Sequence, residues 1–291
     1  MGGALSMLNI KTIFTALALT AGLAMAPAMA QDHSSPHIEK QSWSFSGIFG
    51  KYDQNQLQRG FQVFREVCAS CHGARLIAFR NLAEEGGPHF SEEQVKALAA
   101  EYQITDASTP EGRRPGIAAD RWPSPYASNQ DAMDANGGAI PPDFSVLAKA
   151  RGVSDPFPWW VTNYFTGYSE GGPDYIHALM NGYHEEVPET APEGFELPPG
   201  KYYNDYFPGH AISMPPPLSE NVVSYVAEEG QETVPMDVEQ YSKDVSAFMM
   251  WMAEPGLGSR KETGFGVLLF LFVFAGLMYM TKRRVWAGIE H

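Results

Sequence analysis

The residues Cys68-Ala69-Ser70-Cys71-His72 concentrate more reactive chemistry than any other stretch of this sequence. Two thiols three positions apart are followed at once by an imidazole, the C-x-x-C-H pattern of c-type haem attachment. The spacing has a chemical reason. Two thiols add to the two vinyl groups of one porphyrin, so they must sit about one turn apart. His72, next in the chain, then falls under the iron as proximal ligand. A redox dithiol needs C-x-x-C without the histidine and sits in a βαβ context. A zinc site needs four ligands, and the chain has only 2 cysteines and no second C-x-x-C. The pattern therefore points to one haem c, covalent through Cys68 and Cys71, with His72 on the metal.

The sixth iron ligand separates a carrier from a catalyst. An open position admits small molecules, whereas a methionine closes the iron and raises its potential. The candidates are Met133, Met180, Met214, Met236, Met249, Met250 and Met252, with His89, His177, His184 and His210. The three methionines near 250 read as core residues of a helix. Met214 stands in Ile212-Ser213-Met214-Pro215-Pro216-Pro217, where three prolines forbid a helix and fix the backbone. A weak thioether ligand needs such rigid surroundings, so Met214 leads, with His210 and His184 behind it. Arg75, Arg80, Arg121 and Arg151 are the candidate donors to the haem propionates.

The elements that must position these groups are mainly helical. Leu57, Phe61, Phe64 and Cys68 recur at helical spacing and predict a helix from about 54 to 67 that runs into the haem motif. Ser91 caps a second helix over about 92–102. Residues 103–143 read as Pro/Gly/Asp-rich loop, 144–150 as a short helix and 155–172 as an irregular aromatic insertion. A helix near 174–181 precedes a Pro-rich loop over 185–217 and a short strand pair within 219–235. Asp237 caps a last helix over about 238–253, with Tyr241, Val245, Phe248 and Met252 on its apolar face, and Pro255-Gly256 ends it. Long loops between few helices make a poor core, which a large apolar cofactor would complete.

The ends address the chain to a membrane. Residues 1–30 read as a signal peptide: Lys11, an apolar stretch to Ala26, then Ala28-Met29-Ala30 as a small-x-small cleavage site. Gly264 to Met280 carries no charge, and Lys282-Arg283-Arg284 and Trp286 follow it, the marks of a cytoplasmic boundary. The expected organisation is a haem domain over 31–262 in the periplasm, an anchor over 263–281 in the inner membrane and a cytoplasmic tail over 282–291. The formal net charge is −14, and the termini do not supply it. The exported part is therefore strongly acidic, which repels nucleic acid and attracts basic partners. Glu84-Glu85, Glu185-Glu186 and Glu228-Glu229 with Glu232 are the candidate docking clusters.

Beyond the haem motif, a series of stretches resembles the cytochrome c1 family, the c-haem subunit of bacterial ubiquinol–cytochrome c oxidoreductase. They are Ile77 to Leu82, Arg114-Pro115-Gly116, Ala135 to Asp143, Tyr175 to Tyr183, Tyr202-Tyr203-Asn204 to Gly209, Met214-Pro215-Pro216 and Ala253-Glu254-Pro255, in this order across essentially the whole mature chain. The resemblance implies a cytochrome c-like haem domain with long loops and one C-terminal transmembrane helix. It implies Met214 as the axial methionine, Arg151 as a propionate-binding arginine, and Tyr175, Phe207, Asn136 and Pro142 as haem-pocket residues. It implies electron relay from a Rieske iron–sulfur protein to a soluble or tethered cytochrome c, beside cytochrome b and membrane lipid, as a redox subunit without independent catalysis. Many bacterial relatives carry a disulfide near the methionine loop. This chain, with both cysteines committed to haem, has none to spare. The rival readings are a stand-alone membrane-anchored cytochrome c serving a terminal oxidase, a haem enzyme with an exchangeable sixth site, and a structural subunit with a vestigial haem.

Overall fold

The computed structural model describes residues 38–152, 171–226 and 233–288. The signal-peptide expectation, the insertion up to residue 170 and the Glu228/Glu229/Glu232 cluster lie outside the described residues. In chain order the elements are α1 (Gln54–Glu66), α2 (Glu92–Ala100), the hairpin β1 (Gln103–Thr105) and β2 (Arg113–Pro115), α3 (Asn129–Ala135) and α4 (Leu147–Ala150). There follow α5 (Gly172–Asn181), β3 (Tyr183–His184), β4 (Tyr202–Asn204), β5 (Ala211–Ile212), α6 (Val238–Ala253) and α7 (Leu257–Trp286). The architecture is mainly helical, with two small antiparallel sheets.

The core is built where α1 crosses α6. Asp53 accepts the Gln56 N–H at 2.7 Å and starts α1. The helix then buries Leu57, Gly60, Phe61, Val63 and Phe64 on one face. Asp237 starts α6 in the same way, accepting from Gln240 N at 2.8 Å. Phe248 of α6 meets both Phe61 and Phe64 with centroids 5.6 Å apart, and Trp122 closes on Phe64 at 5.2 Å. The crossing is close because residue 60 has no side chain. A Cβ there would lie 2.1 Å from the Asp244 carbonyl oxygen.

One charge is buried in this crossing. Asp244 is fully buried, and its two oxygens accept from Arg59 at 2.8 and 3.0 Å, from Tyr225 at 3.0 Å and from Gln240 at 2.9 Å. Removing one partner of such a pair would leave an unpaired charge in the core, at a cost of about 3–5 kcal/mol. Burial and the adjacent Asp244 carboxylate push the Tyr225 phenol well above its usual range, so it remains a donor.

The 103–143 stretch is not all loop. β1 and β2 pair antiparallel with Ile104 opposite Arg114. Arg114 then holds Asp106 at 2.9 Å through Nε and the two Asp120 oxygens through its other nitrogens. Hydrogen bonds from Ser108 first, and then from Arg114, draw Asp106 below its ordinary range, and Arg114 does the same for Asp120. Strands of three residues show no alternation that a sequence pattern could register, and α3 is only seven residues long. Nor is there a strand among the described residues of 219–235. The strands lie earlier, β3 just ahead of the 185–217 segment expected to be loop and β4 and β5 within it: β3 pairs with β4 (Tyr183 opposite Asn204) and β4 with β5 (Tyr202 opposite Ile212).

The last helix, α7, has 30 residues, long and apolar enough to cross a membrane, with a mean hydropathy of 2.1 and none of its apolar window buried in the protein. At 1.5 Å per residue it spans about 45 Å. It is joined to the N-terminal part of the described chain at its start: Lys261 Nζ donates to the Phe45 and Gly47 carbonyls, each at 2.6 Å, and Phe265 meets Phe49 edge-on.

Candidate haem site

The helix that carries the motif ends just before it. Val67 N still bonds Val63 O at 3.0 Å, and Cys68–Ser70 then tighten into a 3-10 turn. Both Cys71 N and His72 N return to the Cys68 carbonyl, at 3.1 and 2.9 Å. Five consecutive residues are thus wound into a single turn. Cys68 and Cys71 are both free thiols and half-buried. Burial, with Cys71 beside it, pushes the Cys68 thiol up to about 12, so in the absence of a partner it remains protonated.

His72 is buried and oriented at both ends. Its Nδ1 lies 2.8 Å from the Pro142 carbonyl oxygen, and its ring stacks on Phe144 at 4.2 Å between centroids. A carbonyl only accepts, so Nδ1 carries the hydrogen and donates it. Burial lowers the imidazole pKa, opposed by the Pro142 bond and Asp143, so the ring is neutral at neutral pH. The lone pair is therefore on Nε2, the tautomer that a metal-binding histidine needs.

A second segment fixes that carbonyl. Phe144 N donates to Gly73 O at 2.8 Å, Arg75 N to Asp143 Oδ2 at 2.9 Å, Ser145 N to Asp143 Oδ1 at 3.0 Å and Leu76 N to Ser145 Oγ at 3.0 Å. Residues 73–76 and 142–145 are thereby zipped together. Further on, Trp122 N bonds Ile77 O at 2.8 Å and Phe79 N bonds Asp120 O at 3.0 Å. Asp143, Phe144 and Ser145 escaped the sequence reading as functional positions. The Pro141-Pro142-Asp143 stretch was the only signal, and it marked Pro142 alone.

The other expected pocket residues divide into two groups. Asn136 caps the end of α3 and turns its amide back to Ala132 O at 2.7 Å and to the Tyr126 hydroxyl at 3.0 Å. Arg151 is exposed at the end of α4. Its charge reaches Tyr175, where it opposes the upward push of burial on that phenol. α4 and α5 touch closely, since a Cβ at Gly172 would lie 1.5 Å from the Ala148 carbonyl oxygen. Tyr175 of α5 in turn neighbours Tyr183, whose phenol is raised first by burial and then by Tyr175. The Tyr183 hydroxyl donates to the Met214 carbonyl at 3.1 Å. Phe207 is half-buried in the turn between β4 and β5, its N–H accepted by Asn204 Oδ1 at 3.1 Å.

Most rival sixth ligands are otherwise engaged. Met249, Met250 and Met252 are core residues of α6, as the spacing implied. His177 is buried with Nε2 3.1 Å from Glu239, and His184 has Nε2 2.7 Å from Asp205. His210, at φ +58°, lies flat on Tyr203 with centroids 5.5 Å apart. Arg75 and Arg80 are exposed, and Arg121 donates to the Arg75 carbonyl at 3.1 Å.

The donor set fits a haem c. Two free thiols flank one turn, and a neutral imidazole with its distal nitrogen unprotonated follows them. The comparisons with known proteins agree. The model of the family described as "Cytochrome C1 family" matches residues 43–289. The chain belongs to the cytochrome C1 family. It is 50% identical over 279 residues to cytochrome b/c1 of Bradyrhizobium diazoefficiens, covering 94% of this chain and 39% of that longer protein. It is 48% identical over 291 residues to cytochrome c1 of Blastochloris viridis, covering 97% and 99% of the two chains. Cytochrome c1 of Cereibacter sphaeroides is 40% identical over 298 residues, at 96% and 95% coverage. As a cytochrome C1 family member the chain is a haem protein of electron transport, and α7 fits a membrane-anchored protein.

Proposed function

We propose that this chain is the electron-transfer subunit of a ubiquinol–cytochrome c oxidoreductase, taking electrons from a Rieske iron–sulfur protein and handing them to a soluble or tethered cytochrome c. The observation that carries this reading is the His72 contact: Nδ1 donates to Pro142 O at 2.8 Å, which leaves Nε2 free one residue beyond two free thiols. When bound, the haem supplies a one-electron couple whose potential is set by its axial ligands and burial. Cys68 and Cys71 would hold it covalently, and His72 and Met214 would ligate its iron. Arg151 neutralises a propionate, and Tyr175, Phe207, Asn136 and Pro142 line the pocket. Phe144, stacked on His72, would shield the imidazole from water on that face.

The basic run Lys282-Arg283-Arg284 supports a reading in which the tail of α7 is cytoplasmic and the haem domain periplasmic. Cytochrome b and the Rieske protein are the partners expected beside it, and copurification with a dihaem cytochrome b separates this role from that of a stand-alone oxidase donor. Glu84, Glu85, Glu185 and Glu186 are exposed, an acidic surface that favours encounter with a basic cytochrome c. The deciding experiment is an optical redox titration of the purified chain and of Met214→Leu. The wild-type protein should titrate as a single high-potential couple and show the red-edge methionine–iron band, which the variant loses. A low wild-type potential contradicts His/Met ligation.

A further inference from the structure

We infer that Tyr183 and Lys201 form a two-point clamp that positions Met214, doing by hydrogen bonds what a cross-link would do elsewhere. The inference rests on the reading of Met214 as the sixth ligand. It starts from a deficit in the segment itself. Pro215, Pro216 and Pro217 have no N–H, so the chain beyond Met214 cannot donate into a sheet. Register with β4 ends at Ile212. Past the Met214 N–H the main chain through Pro217 offers only oxygens to grip, and gripping oxygens takes donors. The structure supplies two. The Tyr183 hydroxyl donates to the Met214 carbonyl at 3.1 Å, and Lys201 Nζ donates to the Ser213 hydroxyl.

Both donors stand on a braced frame. Tyr183 opens β3 and pairs with Asn204 of β4. Asn204 is fully buried, with Nδ2 on Leu179 O at 2.8 Å and Oδ1 accepting from Tyr206 N and Phe207 N at 3.0 and 3.1 Å. Asp205 N reaches Gly182 O at 2.9 Å, and Asn181 Nδ2 reaches Ser242 Oγ of α6 at 2.8 Å. A rigid path thus runs from the core helix α6 through α5 and β3 to the carbonyl of the ligand residue. Tyr183 and Lys201 touch the ligand segment and not the metal, so they are positioning residues. The methionine sulfur needs its backbone held because the thioether–iron bond is itself weak.

The test uses the full-length, haem-loaded chain in its membrane complex. Tyr183→Phe keeps the ring and removes the donor. A net hydrogen bond of about 0.5–1.5 kcal/mol translates into roughly a 2- to 13-fold larger population with Met214 off the iron. Carbon monoxide association with the ferrous protein should rise by that factor, the midpoint potential should fall, and the red-edge band should disappear at lower pH. Tyr202→Phe removes an exposed hydroxyl from the adjoining strand and should change none of these. Wild-type carbon monoxide kinetics and potential in Tyr183→Phe, or the same shifts in Tyr202→Phe, would overturn the clamp. Met214→Leu keeps the two ideas apart: if the band survives in that variant, the ligand reading fails, whereas if it is lost while Tyr183→Phe behaves as wild type, only the clamp fails. Should Tyr183→Phe not accumulate with haem, Lys201→Met carries the same expectation, and unchanged kinetics there overturn the proposal equally.

Discussion

The two candidate iron ligands are held in different ways. Around His72 most of the work is done by main chain, with the Asp143 and Ser145 side chains taking three further N–H groups. Phe144 N on Gly73 O, Trp122 N on Ile77 O, Phe79 N on Asp120 O and Arg80 N on Ala118 O all lie between 2.7 and 3.0 Å. Even the imidazole is aimed by a backbone carbonyl. Beyond Met214 three prolines leave the chain without N–H groups, and side chains from β3 and the residue before β4 take over. Main-chain ties survive most substitutions because every residue but proline can make them. Side-chain ties do not. The proximal half should therefore resist single changes, and the methionine half should respond to them.

The largest effect should come from the ligands themselves. His72→Ala removes the imidazole beside the two thiols, and little or no haem should remain on the chain through denaturing electrophoresis. Met214→Leu should keep its haem at close to the wild-type level, since both thioether positions and His72 are intact. Equal loss of haem in the two variants would erase the distinction between an attaching half and a tuning half.

Next in size is a change that should strike both halves at once. Both hang on the α1–α6 crossing, where a Cβ at residue 60 would meet the Asp244 carbonyl oxygen at 2.1 Å and the Phe248 Cβ at 2.7 Å. Gly60→Leu must push the helices apart, at about 1–3 kcal/mol or more. Each kcal/mol lowers Tm by about 2–4 °C in a domain of this size. Thermal melts followed at the haem band and by far-ultraviolet circular dichroism should fall together. Asp143→Ala is a gentler probe of the proximal zipper alone. It strips the acceptor from Arg75 N and Ser145 N, and because Arg75 is exposed, water recovers part of the loss. About 1–2 kcal/mol remains. Amide exchange at 73–76 should quicken by roughly 5- to 30-fold, with the methionine–iron band unchanged. Loss of that band would mean that the halves are not separable.

How much of this was legible follows the same division. The Cys68–His72 motif, the helix before it and the capped helix at 238–253 could be read because each is a local pattern: fixed spacing, a 3.6-residue period, or an Asp or Ser ahead of an apolar run. Met214 was singled out by the prolines that follow it. The bonds that support both ligands were not. Pro142 O meets His72 from 70 residues away, and Tyr183 meets Met214 from 31. Neither pairing leaves a period in the chain. The β3–β4–β5 sheet was missed because its strands are two or three residues long inside a Pro/Gly-rich stretch. The Arg114 clasp on Asp106 and Asp120 was missed because three charged residues in a loop look like any solvated surface.

Acid offers the finest cut between the halves, because one buried histidine serves only the methionine side. His177 lies on α5, the helix that leads into β3. It faces Glu239 and Lys243 of α6 and Asp174 of its own helix. Burial lowers its pKa in spite of Glu239 at 3.1 Å. The folded chain therefore keeps His177 neutral where the unfolded chain, titrating near the ordinary value of about 6.5, takes up a proton. Its contribution is fully present above pH ~6.5 and is lost as pH falls through the depressed folded value, at no more than about 1.4 kcal/mol per pH unit. His177→Gln has no such proton to gain. Between about pH 6.5 and 5 the wild-type chain should lose more stability than the variant, and the excess amide exchange should appear in α5 and β3 while α1 and the haem turn remain as protected as at neutral pH. Equal pH slopes for the two proteins would remove His177 from the account, and excess exchange spread evenly over α1 would show that the two halves open as one.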